Sequence, residues 1–301
     1  MKIGLHALGI GAGAQPRVIA ATGRAAEAAG LATLWAGEHV IMVDEPASHY
    51  PYASDGRIAV PAAADWLDPL LALTYAAAAT DRIGLATGVL LLPEHNPLVV
   101  AKQAATLDLL SGGRFALGVG IGWSAEEYSA LGVPFARRGG RLTEYVAAMR
   151  QLWSCDVASF EGEFVRFRDV RSYPKPVRDR QIPVILGGNG DKALDRVAAC
   201  ADGWYGFNVA ADSVADRIAV LADSARRRGR PSGPPGGPPG GPPSVAVAVP
   251  DCSPADLPEL AAAGVDELVL VSSPPSDPAE VPGWIGDLAA RWVTAAGRLG
   301  A

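Results

Sequence analysis

Apolar runs of strand length alternate along the chain with segments whose apolar positions recur at helical spacing, the arrangement of repeated strand–helix units that feed a parallel sheet. Strands are predicted over 2–8, 31–37, 83–90, 115–120, 182–186, 203–207, 245–249 and 267–271. Helices are predicted over roughly 16–29, 68–80, 97–110, 138–153, 191–200, 212–228, 255–263 and 284–297. Each strand is followed by a helix, and eight such units fit a closed (β/α)8 TIM barrel better than an open doubly wound sheet, because closure removes both exposed edges. One barrel domain spanning residues 1–301 is expected.

Two insertions interrupt the alternation. Residues 40–65 follow the second strand and carry Tyr50, Tyr52, Asp55 and Arg57, with Trp66 at the end. Loops after strands build the active sites of such barrels, so this stretch is a candidate lid or substrate wall. Residues 154–180 precede the fifth strand, and the alternation in FEGEFVRFRD reads as a small hairpin. A third segment, 229–243, is a Pro/Gly tract that joins neither helix nor sheet and is expected to be a flexible loop on the face opposite the active site.

Composition narrows the function. Hydrophobic residues make up 49% of the chain and charged ones 19%, enough for a large core. The net charge of -6 argues against a nucleic-acid partner, which would want a basic face. Cys155, Cys200 and Cys252 are far apart and suggest neither a zinc site nor a disulfide framework. With no secretory leader or bilayer-length apolar run, a cytoplasmic protein acting on a small-molecule substrate is expected. No two histidines form H-x-H or H-E-x-x-H, so no catalytic metal is expected.

The strand ending in Leu34-Trp35-Ala36-Gly37 runs directly into Glu38 and His39. There an imidazole can exchange a proton and the adjacent carboxylate can hold its tautomer or touch a cofactor; the alternative is that His39 only bonds a nearby carbonyl at the strand end. His6, in the first strand, is a pocket wall or a core residue. In Thr87-Gly88-Val89, a glycine inside a buried strand marks either close approach by a ligand or a kink at the rim. Asn96-Pro97 reads as an N-cap and first helical residue. Gly118-Val119-Gly120-Ile121-Gly122 lacks the spacing of a dinucleotide fingerprint; it reads as a narrow rim where Trp123 lies against a flat ring or simply packs. Gly187-Gly188-Asn189-Gly190 stands between a strand and a helix, where free N–H groups and the helix dipole suit a phosphate, or else forms an ordinary turn.

Taken together, WLDPLLAL, DRIGLATGVLLLPEHNP, AKQAATLDLLSGGRFALGVGIGW, EEYSALGVPFARRGGRLTEY and MRQLW, with ILGGNGDKAL and ADGWYG further on, resemble the luciferase-like monooxygenase superfamily and, more narrowly, its coenzyme F420-dependent branch. The resemblance implies a non-prolyl cis peptide at Gly88–Val89 backing the cofactor ring, with Thr87 in the same loop and Trp123 near the ring. It implies that Gly187, Gly188, Asn189 and Gly190 hold the cofactor phosphate, and that His39 is the acid/base with Glu38 beside it. The implied chemistry is hydride transfer between F420 and a small organic substrate, in a homodimer. An FMN-dependent monooxygenase using O2 is the nearest alternative. A non-catalytic flavin-binding barrel is a further one, favoured if 40–65 fails to enclose the mouth. No residue pattern marks a sugar-phosphate or alcohol pocket.

Overall fold

The computed structural model describes residues 1–230 and 241–300. In chain order its strands are β1 (Lys2–Leu8), β2 (Thr33–Ala36), β3 (Gly84–Thr87), β4 (Phe115–Val119), β5 (Ala158–Glu161), β6 (Arg166–Val170), β7 (Val184–Gly187), β8 (Gly203–Phe207), β9 (Ser244–Ala248) and β10 (Glu267–Val271). Eight of them close a barrel in the order β1-β10-β9-β8-β7-β4-β3-β2, every pairing parallel. All eight predicted barrel strands are present; β1, β8 and β10 have the predicted bounds, β2 and β3 are the most shortened, and β7 and β9 are displaced by one or two residues. β5 and β6 form a separate antiparallel pair, the hairpin expected from FEGEFVRFRD.

Around the barrel run α1 (Pro16–Ala28), α2 (Pro69–Ala77), α3 (Pro97–Leu110), α4 (Ala125–Ala130), α5 (Arg138–Ser154), α6 (Asp191–Cys200), α7 (Val214–Arg227), α8 (Leu257–Ala263) and α9 (Val281–Leu288). Asn96 caps α3 as its sequence suggests, its side-chain oxygen accepting from the Leu98 and Val99 N–H groups ahead of Pro97. No helix among the described residues is long and apolar enough to cross a membrane. The Pro/Gly tract predicted at 229–243 falls largely on 231–240, outside the described residues.

The core has two compartments. The larger packs the outward faces of the strands against the helices, with Leu34, Leu85, Leu117 and Leu186 facing Val18, Leu73, Val100 and Leu194. A smaller one fills the barrel interior with Trp35, Ala86, Tyr205, Ala246, Ala248 and Val269. Trp35 stacks on Tyr205 at 4.6 Å, and its indole N–H donates to Glu267 Oε1 at 3.0 Å. These two rings plug the bore, so the usable space lies above them, at the C-terminal ends of the strands.

The glycines of that rim have a steric cause. A Cβ on Gly118 would collide with the Thr87 carbonyl oxygen, and the Thr87 hydroxyl donates to Gly118 O at 2.6 Å, so β3 and β4 approach more closely than two side-chained residues allow. Gly120 and Gly187 leave room for the Val89 side chain: a Cβ on Gly120 would lie 2.6 Å from Val89 Cγ2, and one on Gly187 3.1 Å from Val89 Cγ1.

Candidate active site

A cavity of about 400 Å³ opens at the C-terminal mouth of the barrel. His6 of β1, Gly37, Glu38 and His39 after β2, Gly88 and Val89 after β3, Trp123 after β4 and Gly187 and Gly188 at the end of β7 all line it. The Gly88–Val89 peptide is cis, as the resemblance implies. Thr87, Asn189 and Gly190 are not part of the lining. The Thr87 side chain is fully buried on β4, and Asn189 turns its amide onto Phe207 O at 2.7 Å.

The roof is the stretch after β2. Tyr50, Tyr52, Arg57, Ile58 and Val60 line the cavity from above. Tyr50 meets Trp123 edge to face at 5.4 Å, and Tyr52 meets Phe207 at 5.5 Å. The stretch is fastened at several points. Glu126 Oε1 accepts from the Ala47 and Ser48 N–H groups at 2.9 and 3.0 Å, the Asn208 amide donates to Tyr52 O at 3.2 Å, and the Trp66 indole donates to Gly37 O at 3.0 Å. It therefore covers part of the mouth.

The chemistry of the site is concentrated in two glutamate–histidine pairs. His39 Nδ1 lies 2.8 Å from Glu127 Oε2, and the Trp123 indole N–H reaches His39 Nε2 at 3.3 Å. An indole nitrogen only donates, so Nε2 must accept and the ring proton sits on Nδ1, directed at the carboxylate. The other oxygen of Glu127 accepts from the Val40 and Ile41 N–H groups at 2.7 and 3.2 Å. One buried carboxylate thus fixes both the tautomer of the imidazole and the backbone that follows it.

Glu38 does not hold His39, and the expectation that the adjacent acid fixes its tautomer is corrected. Successive residues leaving a strand point to opposite sides. Glu38 therefore turns toward the loop after β3, where it accepts from the Leu91 N–H and, through both oxygens, from His95 Nε2 at 3.0 Å. Burial alone would lower the pKa of His95, but the hydrogen bond and charge of Glu38 outweigh it and raise it.

Between the pairs stands Glu94. It is buried, neither carboxyl oxygen has a hydrogen-bond partner, and a Cβ on Gly122 would come within 2.8 Å of it. Burial first, then the charges of Glu127 and Glu38, push its pKa up to about 9, so this carboxyl is a neutral acid at pH 7.

Sequence reasoning missed Glu127 and Glu94. Ser124-x-x-Glu127 has the spacing of a capping box, and Ser124 does cap α4 through Glu127 N–H at 3.1 Å. That local signature hides the long-range partner of the Glu127 side chain. At the other end of the mouth the glycine-rich turn leads into α6, whose N-cap Gly190 carries no side-chain cap; a Cβ there would meet open space. Asp191 in its first turn is drawn aside to Arg217 at 2.8 Å.

Comparison with known proteins agrees with this architecture. Over 187 residues the chain is 44% identical to an uncharacterised protein of Mycobacterium tuberculosis, Rv0953c, a match covering 62% of this chain and 66% of that one. Over 134 residues it is 35% identical to the FMNH2-dependent dimethylsulfone monooxygenase of Pseudomonas putida, covering 44% and 36% of the two chains. These matches thus span less than two thirds of those relatives' own lengths. Among solved structures, the coenzyme F420-dependent tetrahydromethanopterin reductase of Methanopyrus kandleri superposes with a TM-score of 0.74 at 17% identity, covering 97% of this chain and 98% of that one. At that identity the likeness concerns the fold. The family description "luciferase-like monooxygenase" matches residues 4–295, nearly the whole barrel, and the chain belongs to that family.

Proposed function

We propose that the protein is an oxidoreductase that transfers a hydride between coenzyme F420 and a small organic substrate in the cavity at the barrel mouth. The observation that carries this reading is the pairing, in one partly covered and mostly apolar space, of a flat glycine-rich wall with a histidine whose proton position is fixed. The residues present fit such a cofactor. Gly37 and Gly88 bring bare backbone to the cavity wall, and the Val89 side chain lies against Gly120 and Gly187. Gly187, Gly188 and the uncapped start of α6 offer N–H groups to a phosphate, with Lys192 in the first helical turn. Asn189 Oδ1, off the lining, is buried with no partner among the described residues.

Bound there, F420 would supply a two-electron hydride carrier. The chain's own part is positional and protonic. The roof restricts water, Trp123 and Tyr50 confine the substrate, and His39 takes or gives the proton at Nε2 while Glu127 stabilises the imidazolium. The Trp123–His39 bond is long at 3.3 Å and is readily exchanged for a substrate hydroxyl. Glu38, with both oxygens committed to His95 and Leu91, holds the loop that carries Gly88 and Val89 and does not meet substrate.

The kinship with an FMNH2-dependent enzyme supports a second reading, a monooxygenase that uses reduced FMN and O2 at the same wall. Titration of the purified protein with F420 and with FMN, read by ring fluorescence, separates them. The expected result is micromolar binding of F420, weakened at least tenfold by Gly188→Ala, since Gly188 has φ +110° and a Cβ there would meet Ala193 Cβ at 2.9 Å. Tighter binding of FMN favours the second reading, and binding of neither ends both.

A further inference from the structure

His6 is a second histidine on the cavity, and it is set up in the opposite sense to His39. It sits in β1 with 8% of its surface exposed, and it lines the cavity. Its Nδ1 lies 3.0 Å from the Tyr205 hydroxyl. Tyr205 is held in turn by its stack on Trp35, which is tied to Glu267. Among the described residues the Tyr205 hydroxyl has no other hydrogen-bond partner, and if it donates to His6 Nδ1 the imidazole keeps its own proton on Nε2. No carboxylate touches the ring, and burial lowers its pKa to about 4, so it is neutral in ordinary buffers. On the cavity side Nε2 stands against Gly37, where a Cβ would lie only 3.1 Å away, and it meets no acceptor from the protein.

We propose that His6 Nε2–H, fixed by Tyr205, is a hydrogen-bond donor to the bound substrate, and that the cavity selects neutral molecules presenting a carbonyl oxygen. The substrate half of this rests on the oxidoreductase reading above; the donor half does not. A neutral imidazole donor fits this task because its N–H polarises a carbonyl by hydrogen bonding, whereas a Nδ1–H tautomer would turn a lone pair toward the oxygen and repel it. The two histidines then divide the work. His39 offers a lone pair at Nε2, and His6 offers a proton at Nε2.

Nitrogen-15 NMR of the cofactor-free protein tests the donor half. His6 is expected as the neutral Nε2–H form from pH 5.5 to 8, and Tyr205→Phe is expected to mix the two tautomers. An imidazolium at pH 6, or a Nδ1–H form in the native protein, overturns the proposal. The substrate half is tested with cyclohexanone and methylcyclohexane as probes. Cyclohexanone should shift the His6 Nε2–H resonance, and His6→Phe should weaken its binding roughly fivefold to tenfold while leaving methylcyclohexane within twofold. Equal weakening of both probes, or no shift of that resonance with cyclohexanone at saturating or highest soluble concentration, overturns the selection for carbonyls. The shift is read on the native chain, so it stands even if His6→Phe misfolds. If neither F420 nor FMN binds while these results hold, the oxidoreductase reading fails and the donor remains.

Discussion

The pairs Glu127–His39 and Glu38–His95 are built from the same two groups at nearly the same separation, 2.8 Å and 3.0 Å, and both carboxylates are buried. They differ in what the second ring nitrogen meets. His39 presents Nε2 to the cavity and to a tryptophan that can let go. His95 spends Nε2 on Glu38, and its side chain is a quarter exposed. On the proposed reading the first pair moves a proton and the second holds a loop. A glutamate at hydrogen-bond distance from a histidine therefore identifies neither role, and the direction of the remaining nitrogen does.

The sharpest test of that distinction is His39→Asn, expected to lower turnover by about 10²- to 10⁴-fold while cofactor affinity moves less than threefold. Turnover that survives on a genuine substrate would remove the proton role of the first pair. Glu127→Gln comes next, at roughly tenfold to a hundredfold, because the amide oxygen can still accept from the backbone or from the ring but no longer neutralises an imidazolium. Hydrogen exchange over 40–48 should quicken in the same variant, since Val40 and Ile41 lose their charged acceptor.

For the second pair the expected signature is inverted. Glu38→Ala leaves the Leu91 N–H and His95 without their acceptor, a loss of about 1–3 kcal/mol. At 2–4 °C per kcal/mol this lowers Tm by several degrees, and cofactor affinity should fall with it, with kcat at saturation changing least. A Glu38 variant with native stability and affinity but no turnover would reverse the two assignments.

The smallest expected effect is on pH dependence. The Glu94 carboxyl titrates near 9 in the folded chain against an ordinary value of 4.5, so the folded state binds the extra proton and stability declines as pH rises between those values. The raised pKa of His95 acts in the same direction: its contribution is complete below the ordinary value of 6.5 and is lost as pH rises through the folded value. His6, lowered to about 4, acts in the opposite direction only below its ordinary value of 6.5, so Tm should fall with pH from about 6.5 to 9, and Glu94→Gln should flatten that slope. An unchanged slope would mean that Glu94 is ionised in the folded chain.

Much of the architecture was legible in the residues, because eight buried strands and their helices each leave a periodic signature, and FEGEFVRFRD could be recognised as a hairpin by its alternation. The expectation that Gly88, Val89, Trp123, Gly187 and Gly188 stand near one mouth followed from their positions at strand ends. What stayed hidden was pairing across the rim. Glu38 and His39 are neighbours in the chain and therefore face apart. Their true partners lie 57 and 88 residues away, a separation no local pattern records. Glu94 was hidden for a related reason: nothing in LLPEHNP distinguishes a solvated acid from one enclosed by two other carboxylates.

The roof's attachment at Ala47 and Ser48 has a consequence for timing. Glu126, which holds both amides, is partly exposed, and hydrogen bonds from Ser48 and neighbouring N–H groups bring its pKa down to about 2. The clasp is therefore charged and shut throughout the neutral range. A ligand that leaves beneath the roof would wait on release of the clasp and of the Asn208 bond at the other end. Residence time, and the order in which two ligands enter and depart, would then be governed by a surface carboxylate that touches neither of them.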